Sequence, residues 1–221
     1  MNPRDEVLAR VRAALRCNGG APTATDGGET RRAYRTQGDG DVAGNLDLLA
    51  ARLRDYRALV RRAVPSDVGA TVAAAITDRG VRRIVVPRGL GLPPLPPGIE
   101  AIVDEGLSAQ ELDDFDGVVT GAAVAIAETG TIVLDGSPGQ GRRAITLVPD
   151  YHLCIVRAEQ VVTLVPEAIE RLAPHLDRPH TWISGPSATS DIELERVEGV
   201  HGPRTLEVVL VEPGSAVGGC W

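Results

Sequence analysis

The stretch from Pro65 to Pro87 constrains the fold of this chain more than any other. Pro65 opens a helix with an Ala-rich body running to Arg79, and Gly80 ends it. Arg83-Ile84-Val85-Val86 follows as a short apolar strand that stops at Pro87. A helix delivered through glycine into such a strand is half of a βαβ crossover, which predicts a parallel sheet.

The rest of the chain continues the alternation. Leu46–Leu53 reads as helix, Tyr56–Val64 as strand, Ala101–Val103 as strand, and Ser108 as the cap of a short helix. Asp116–Thr120, Leu153–Val156, Thr181–Ser184 and Leu206–Val211 read as strands, and Pro166–Ala173 as helix. Leu90–Gly98 is too rich in proline for either state. Ala122–Leu134 is small and apolar, and reads as a turn or short helix feeding a strand at Thr131–Leu134. Alternation of this kind defines an α/β fold of three layers, with sites expected where loops leave the carboxyl ends of the strands. Four segments are expected: an amphipathic helix over 1–16, a flexible connector over 17–40, the α/β domain over 41–212 and a loose tail over 213–221. The helix carries Pro3 at its first position behind Asn2, and an apolar stripe of Val7, Leu8, Val11 and Leu15.

Composition excludes several function classes. Aromatic residues are 3% of the chain and the net charge is −7, so neither a stacking platform nor a basic footprint for nucleic acid is present. All 23 basic residues are arginine, which removes any lysine-dependent chemistry, from Schiff bases to a P-loop. Sixteen of them fall in residues 1–100 against 11 acids, and seven in 101–221 against 19 acids. That asymmetry suits charge complementarity with a partner or another subunit; a plain solvated surface is the alternative. Cys17, Cys154 and Cys220 are far apart and show no metal-ligand spacing, so no metal or iron–sulfur site is expected in this chain. Their use fits a reducing cytoplasm, and neither a membrane-spanning run nor a signal-peptide core is present.

Two blocks carry the polar chemistry. In Ala122-Ala123-Val124-Ala125-Ile126-Ala127-Glu128-Thr129-Gly130-Thr131 a single carboxylate interrupts an apolar run. Burial there demands pairing or neutralisation, which suits Glu128 to an acid, base or nucleophile role; the alternative is a carboxylate that accepts the N–H groups of its own turn. The second block, Ser184-Gly185-Pro186-Ser187-Ala188-Thr189-Ser190-Asp191-Ile192-Glu193 through Gly199-Val200-His201-Gly202-Pro203, gathers hydroxyls and freed backbone amides that suit an anion. His201, in a turn, is the candidate proton carrier, with a structural histidine as the alternative. Thr129, Gly130, Thr131, Ser184, Gly185, Ser187, Thr189, Asp191, Glu193 and Gly202 are the candidate ligand-binding residues. The loop Gly136-Ser137-Pro138-Gly139-Gln140-Gly141-Arg142-Arg143 reads by default as a hairpin connection.

With Val119-Thr120-Gly121, Pro149-Asp150-Tyr151-His152 and Leu206 beside them, these blocks make the chain resemble the LUD-domain family, specifically its lactate utilization protein C (LutC/YkgG) group. The resemblance runs from about residue 42 to 211. It implies a fold like that of the NagB/RpiA/CoA-transferase group, three-layer α/β/α with a mostly parallel sheet. It also implies membership of a three-protein system that oxidises L-lactate to pyruvate, with iron–sulfur clusters in the partner subunits and no cofactor in this chain. A small carboxylate ligand and a homo-oligomer are compatible with that role. No residue roles come with the resemblance, so catalysis by the chain itself stays open. Two alternatives remain: a stand-alone enzyme related to CoA transferases or sugar-phosphate isomerases that uses Glu128, and a pure interaction module.

Overall fold

The computed structural model describes residues 3–17, 33–186 and 202–214. The chain divides into two units, Met1–Tyr34 and Arg35–Trp221. The first holds α1 (Pro3–Cys17), with Asp5 and Glu6 in its first turn and an i,i+4 pair between Glu6 and Arg10 at 3.1 Å.

The second unit runs α2 (Val42–Asp55), β1 (Leu59–Ala63), α3 (Val68–Asp78), β2 (Arg83–Val86), β3 (Glu100–Val103), α4 (Ala109–Asp113), β4 (Gly117–Gly121), β5 (Val124–Ile126), β6 (Thr131–Leu134), β7 (Tyr151–Arg157), β8 (Val161–Val162), α5 (Val165–Leu172), β9 (Thr181–Ile183) and β10 (Thr205–Val211). Local chemistry accounts for most boundaries. Asp41 caps α2 by accepting the Gly44 amide at 2.7 Å, and Leu46, Leu49, Ala50 and Leu53 form its buried stripe. Gly80, at φ +71°, follows the last turn of α3 in the left-handed conformation that glycine adopts freely. Ser108 and Glu111 form a reciprocal capping box on α4.

Six strands make one fully parallel sheet in the order β1-β10-β7-β4-β2-β3. α3 covers one face, packing Val72, Ala75 and Ile76 on Val119, Leu153, Ile155 and Val209. α2 covers the other, with Leu49 and Leu53 over Cys154, Val156, Val208 and Leu210. The fold is α/β with a parallel sheet, as expected from the Pro65–Pro87 unit.

A second sheet was not expected. β8-β5-β6-β9 forms a four-stranded mixed sheet that shares the α2 side of the core and carries α5 on its outer face, where Ala168 and Leu172 meet Val124, Ile126 and Val133. Two sequence expectations give way to it. Val124–Ile126 is a strand paired antiparallel with β6, so the expected turn is confined to Ala127–Gly130 and no helix precedes β6. Its small residues fill a fully buried strand, where alternation vanishes and periodicity cannot separate strand from helix. The 136–143 loop is not a hairpin either, because β6 and β7 belong to different sheets. It crosses to the carboxyl ends of β2 and β4, where the Gly139 amide donates to Arg88 O (3.1 Å) and its carbonyl accepts the Gly121 amide (2.7 Å).

One buried polar network ties β1, β7 and β10 together. Glu207 is 2% exposed; its carboxylate accepts Arg61 Nε at 2.5 Å and the Tyr151 hydroxyl at 2.9 Å. Burial, and then the Glu207 charge, push the Tyr151 hydroxyl well above its ordinary pKa, so it remains a donor.

Candidate functional site

The two polar blocks meet in space. β6 pairs antiparallel with β9, placing Ile132 opposite Ile183, and one step further the Thr131 and Ser184 hydroxyls hydrogen-bond at 2.8 Å. Thr131 also meets the Thr129 hydroxyl at 2.7 Å. Three hydroxyls joined in a row use two of their three hydrogens on one another. The third, at one end of the row, is not consumed by these contacts. Such a row suits an anionic or carbonyl acceptor.

Glycine seats both blocks. Gly130 (φ +62°) and Gly185 (φ +86°) lie where a Cβ would stand 2.7 Å from Arg52 Cβ and 2.7 Å from Tyr56 O respectively. Arg52 and Tyr56 form the C-terminal end of α2, which leads straight into β1. The site therefore lies toward the amino edge of the parallel sheet. The carboxyl-edge location expected from the general rule for open α/β sheets is corrected by this packing.

Glu128 is also corrected in its setting. Its side chain is 47% exposed and receives a hydrogen bond from Arg35 Nη2 at 2.9 Å. The apolar run on its N-terminal side is buried strand, and the chain leaves the core at the turn. A pair exposed at both ends contributes at most about 1 kcal/mol, so the carboxylate is not firmly held. Arg35 and Arg52 were missed in the sequence because their link to this turn is purely tertiary.

The far end of the second block sits over a different element. A Cβ on Gly202 would lie 3.8 Å from Thr146 O and 3.9 Å from Arg143 Nη2. Arg143 Nη1 donates to Thr146 O (2.7 Å) and Oγ1 (3.0 Å), and its partial burial lowers its pKa. Ser187, Thr189, Asp191, Glu193 and His201 lie outside the described residues.

Behind this turn, His152 is 1% exposed, with Nε2 2.8 Å from Thr120 Oγ1; Cys154 Sγ lies 3.8 Å from the same hydroxyl. Burial pushes the His152 pKa down to about 4 and the Cys154 thiol up to about 12, so both are neutral and the thiol is a poor nucleophile. A consequence for stability follows from the sign of the histidine shift. Between pH 6.5 and about 4 the unfolded chain takes up a proton that the native state refuses. Stability is complete above pH 6.5 and falls by about 3 kcal/mol toward pH 4 from this group alone. His152→Gln is expected to flatten that part of the profile, measured as urea midpoints at pH 7 and pH 4.5; an unchanged slope would contradict the assignment.

Among the described residues no group of three or more His, Cys, Asp or Glu side chains could hold a metal ion, and no helix is long and apolar enough to cross a membrane.

The fold and site together define a parallel α/β domain with a glycine-seated hydroxyl row beside its second sheet. The LUD domain model matches residues 103–211. Lactate utilization protein C of Deinococcus radiodurans is 49% identical over 163 residues, 72% of this chain and 76% of that protein. The uncharacterized protein YkgG of Escherichia coli is 34% identical over 97 residues, 41% of this chain and 42% of its own length. A crystal structure of a DUF162 family protein from Deinococcus radiodurans superposes with a TM-score of 0.67 at 41% identity, covering 78% of this chain and 99% of that one. The chain belongs to the LUD-domain family, in its lactate utilization protein C group.

Proposed function

We propose that this protein is a component of an L-lactate utilization system, working with iron–sulfur partner subunits that carry the redox chemistry, and that it binds a small carboxylate at the Thr129–Thr131–Ser184 row. The relatives named lactate utilization protein C support the pathway. The observation that carries the site is the Thr131–Ser184 hydrogen bond, which joins two polar blocks 53 residues apart into one surface. Three hydroxyls, left-handed glycines and an exposed arginine offer donors without a metal, a combination suited to holding a carboxylate. The stand-alone enzyme with Glu128 as buried nucleophile is weakened by the exposure of that carboxylate.

Deleting the gene in the native host is expected to abolish growth on L-lactate as sole carbon source while growth on pyruvate continues. The wild-type gene restores growth on lactate, and a Thr131→Val/Ser184→Ala double variant made at normal levels does not. Unimpaired growth of the deletion strain on lactate would sink the pathway assignment. Full rescue by the double variant would sink the site.

A further inference from the structure

α2 and α3 end in the same motif with one difference. At the end of α3 the Gly80 amide donates to Thr77 O (2.9 Å) and the Val81 amide to Ile76 O (3.2 Å). At the end of α2 the Arg57 amide donates to Arg54 O (2.8 Å) and the Ala58 amide to Leu53 O (2.9 Å). Both are Schellman caps, whose turning residue takes the left-handed conformation that glycine adopts freely. α3 places Gly80 there, at φ +71°, whereas α2 places Arg57, at φ +65°. Among the described residues Arg57 is the only non-glycine with a positive φ, against ten glycines. An L side chain is disfavoured in that conformation, and a residue kept there at a cost points to a use for its side chain. The helix dipole does not account for it, because Arg52 and Arg54 already supply positive charge in the last turn of α2 without strain.

The position of Arg57 supplies the use. A Cβ on Gly185 would lie 2.7 Å from Tyr56 O and 3.5 Å from Tyr56 C, the atom bonded to Arg57 N. Arg57 therefore leaves α2 beside Gly185, next to Ser184 at one end of the hydroxyl row. The other end adjoins Glu128, whose charge is matched by Arg35 at 2.9 Å. Arg52, which packs on Gly130, is matched by Asp55 at 3.8 Å. These two pairs cancel, so they offer a bound carboxylate no net charge. Arg54 lies about 200° around the helix from Arg52 and so on the side of α2 away from Gly130. Arg57 is exposed and carries the planar fork that holds a carboxylate through two parallel hydrogen bonds.

We propose that Arg57 gives the hydroxyl row its preference for an anion, taking the carboxylate of a 2-hydroxy or 2-oxo acid at the Ser184 end and leaving the 2-oxygen to the hydroxyls. The inference rests on the reading of the row as a carboxylate site. The test titrates pyruvate and its uncharged analogue pyruvamide into the full-length chain by calorimetry, with pyruvate expected to bind at least tenfold more tightly. Arg57→Gly is expected to bind pyruvamide as the wild type does and pyruvate at least tenfold more weakly. The same variant should melt about 1–4 °C higher, because glycine relieves the left-handed strain. Arg57→Lys keeps the charge without the fork and should recover part of the preference. The Thr131→Val/Ser184→Ala variant separates the two readings, since it should weaken both ligands alike. If it does so while Arg57→Gly leaves pyruvate binding unchanged, the row stands and the role of Arg57 falls. If the wild type binds neither ligand, the row falls and takes the role of Arg57 with it. A lower melting temperature for Arg57→Gly would also overturn the proposal, by showing that the side chain is kept for the fold.

Discussion

Gly185→Ala is expected to lower the unfolding free energy by about 2–5 kcal/mol. Two costs add. The backbone sits at φ +86°, where an L side chain loses about 1–2 kcal/mol. The new Cβ would also lie 2.7 Å from both Tyr56 Cβ and Tyr56 O, and overpacking against backbone costs about 1–3 kcal/mol. Gly130→Ala faces the same pair of costs, at φ +62° with Arg52 Cβ 2.7 Å away and Arg52 C 3.1 Å away. Gly80→Ala is the internal control: it has φ +71° but nothing within 4 Å, so only the conformational cost of about 1 kcal/mol applies. Urea unfolding with unchanged m-values measures all three. If Gly185→Ala and Gly130→Ala cost no more than Gly80→Ala, α2 does not seat the two blocks as described. Because each glycine holds one block against α2, loss of lactate-dependent growth should accompany loss of stability in both variants.

Glu207→Ala is expected to cost about 3 kcal/mol, or a fall in melting temperature of about 6–12 °C for a chain of this size. The carboxylate is 2% exposed and satisfies two donors, the Tyr151 hydroxyl and Arg61 Nε. Removing it strands a buried hydroxyl and leaves Arg61 with Asp78, at 2.9 Å, as its remaining carboxylate. Tyr151→Phe removes one donor from a carboxylate that keeps its arginine, and should cost about 1 kcal/mol. The order of the two variants carries the test: Tyr151→Phe costing as much as Glu207→Ala would show that the hydroxyl bond from β7 to β10, rather than the ion pair from β1 to β10, carries the network. Both residues lie on the face of the sheet opposite the hydroxyl row, so ligand binding should survive at temperatures where the variants remain folded.

Local signals in the sequence carried much of the fold. The Pro65 opening, the Gly80 stop and the apolar Arg83–Val86 strand each rest on contacts within a few residues, and the parallel sheet follows from their order. The Ser108 cap and the Leu46–Leu53 helix were legible for the same reason. The hairpin of β5 and β6 was not. Val124-Ala125-Ile126 is buried on both faces, so no alternation marks it as a strand, and its partners β6 and β8 are chosen by tertiary packing. The same limit applied to the site. Glu128, Thr131, Ser184 and Gly185 could be singled out as polar or glycine residues in unusual company, yet nothing local told that Glu128 faces solvent opposite Arg35.

By itself the sequence determined an arginine-only, aromatic-poor α/β chain with parallel crossovers and two polar blocks bearing the mark of the LUD-domain family. Tertiary structure alone decided that those blocks share one hydroxyl row, that they sit toward the amino edge of the sheet, and that a second sheet holds them there. The physical reason is the range of the forces involved. Caps, turns and apolar stripes act over a few residues and are written locally, whereas the pairing of β6 with β9 closes a loop of some fifty residues, and its register depends on every surface packed around it.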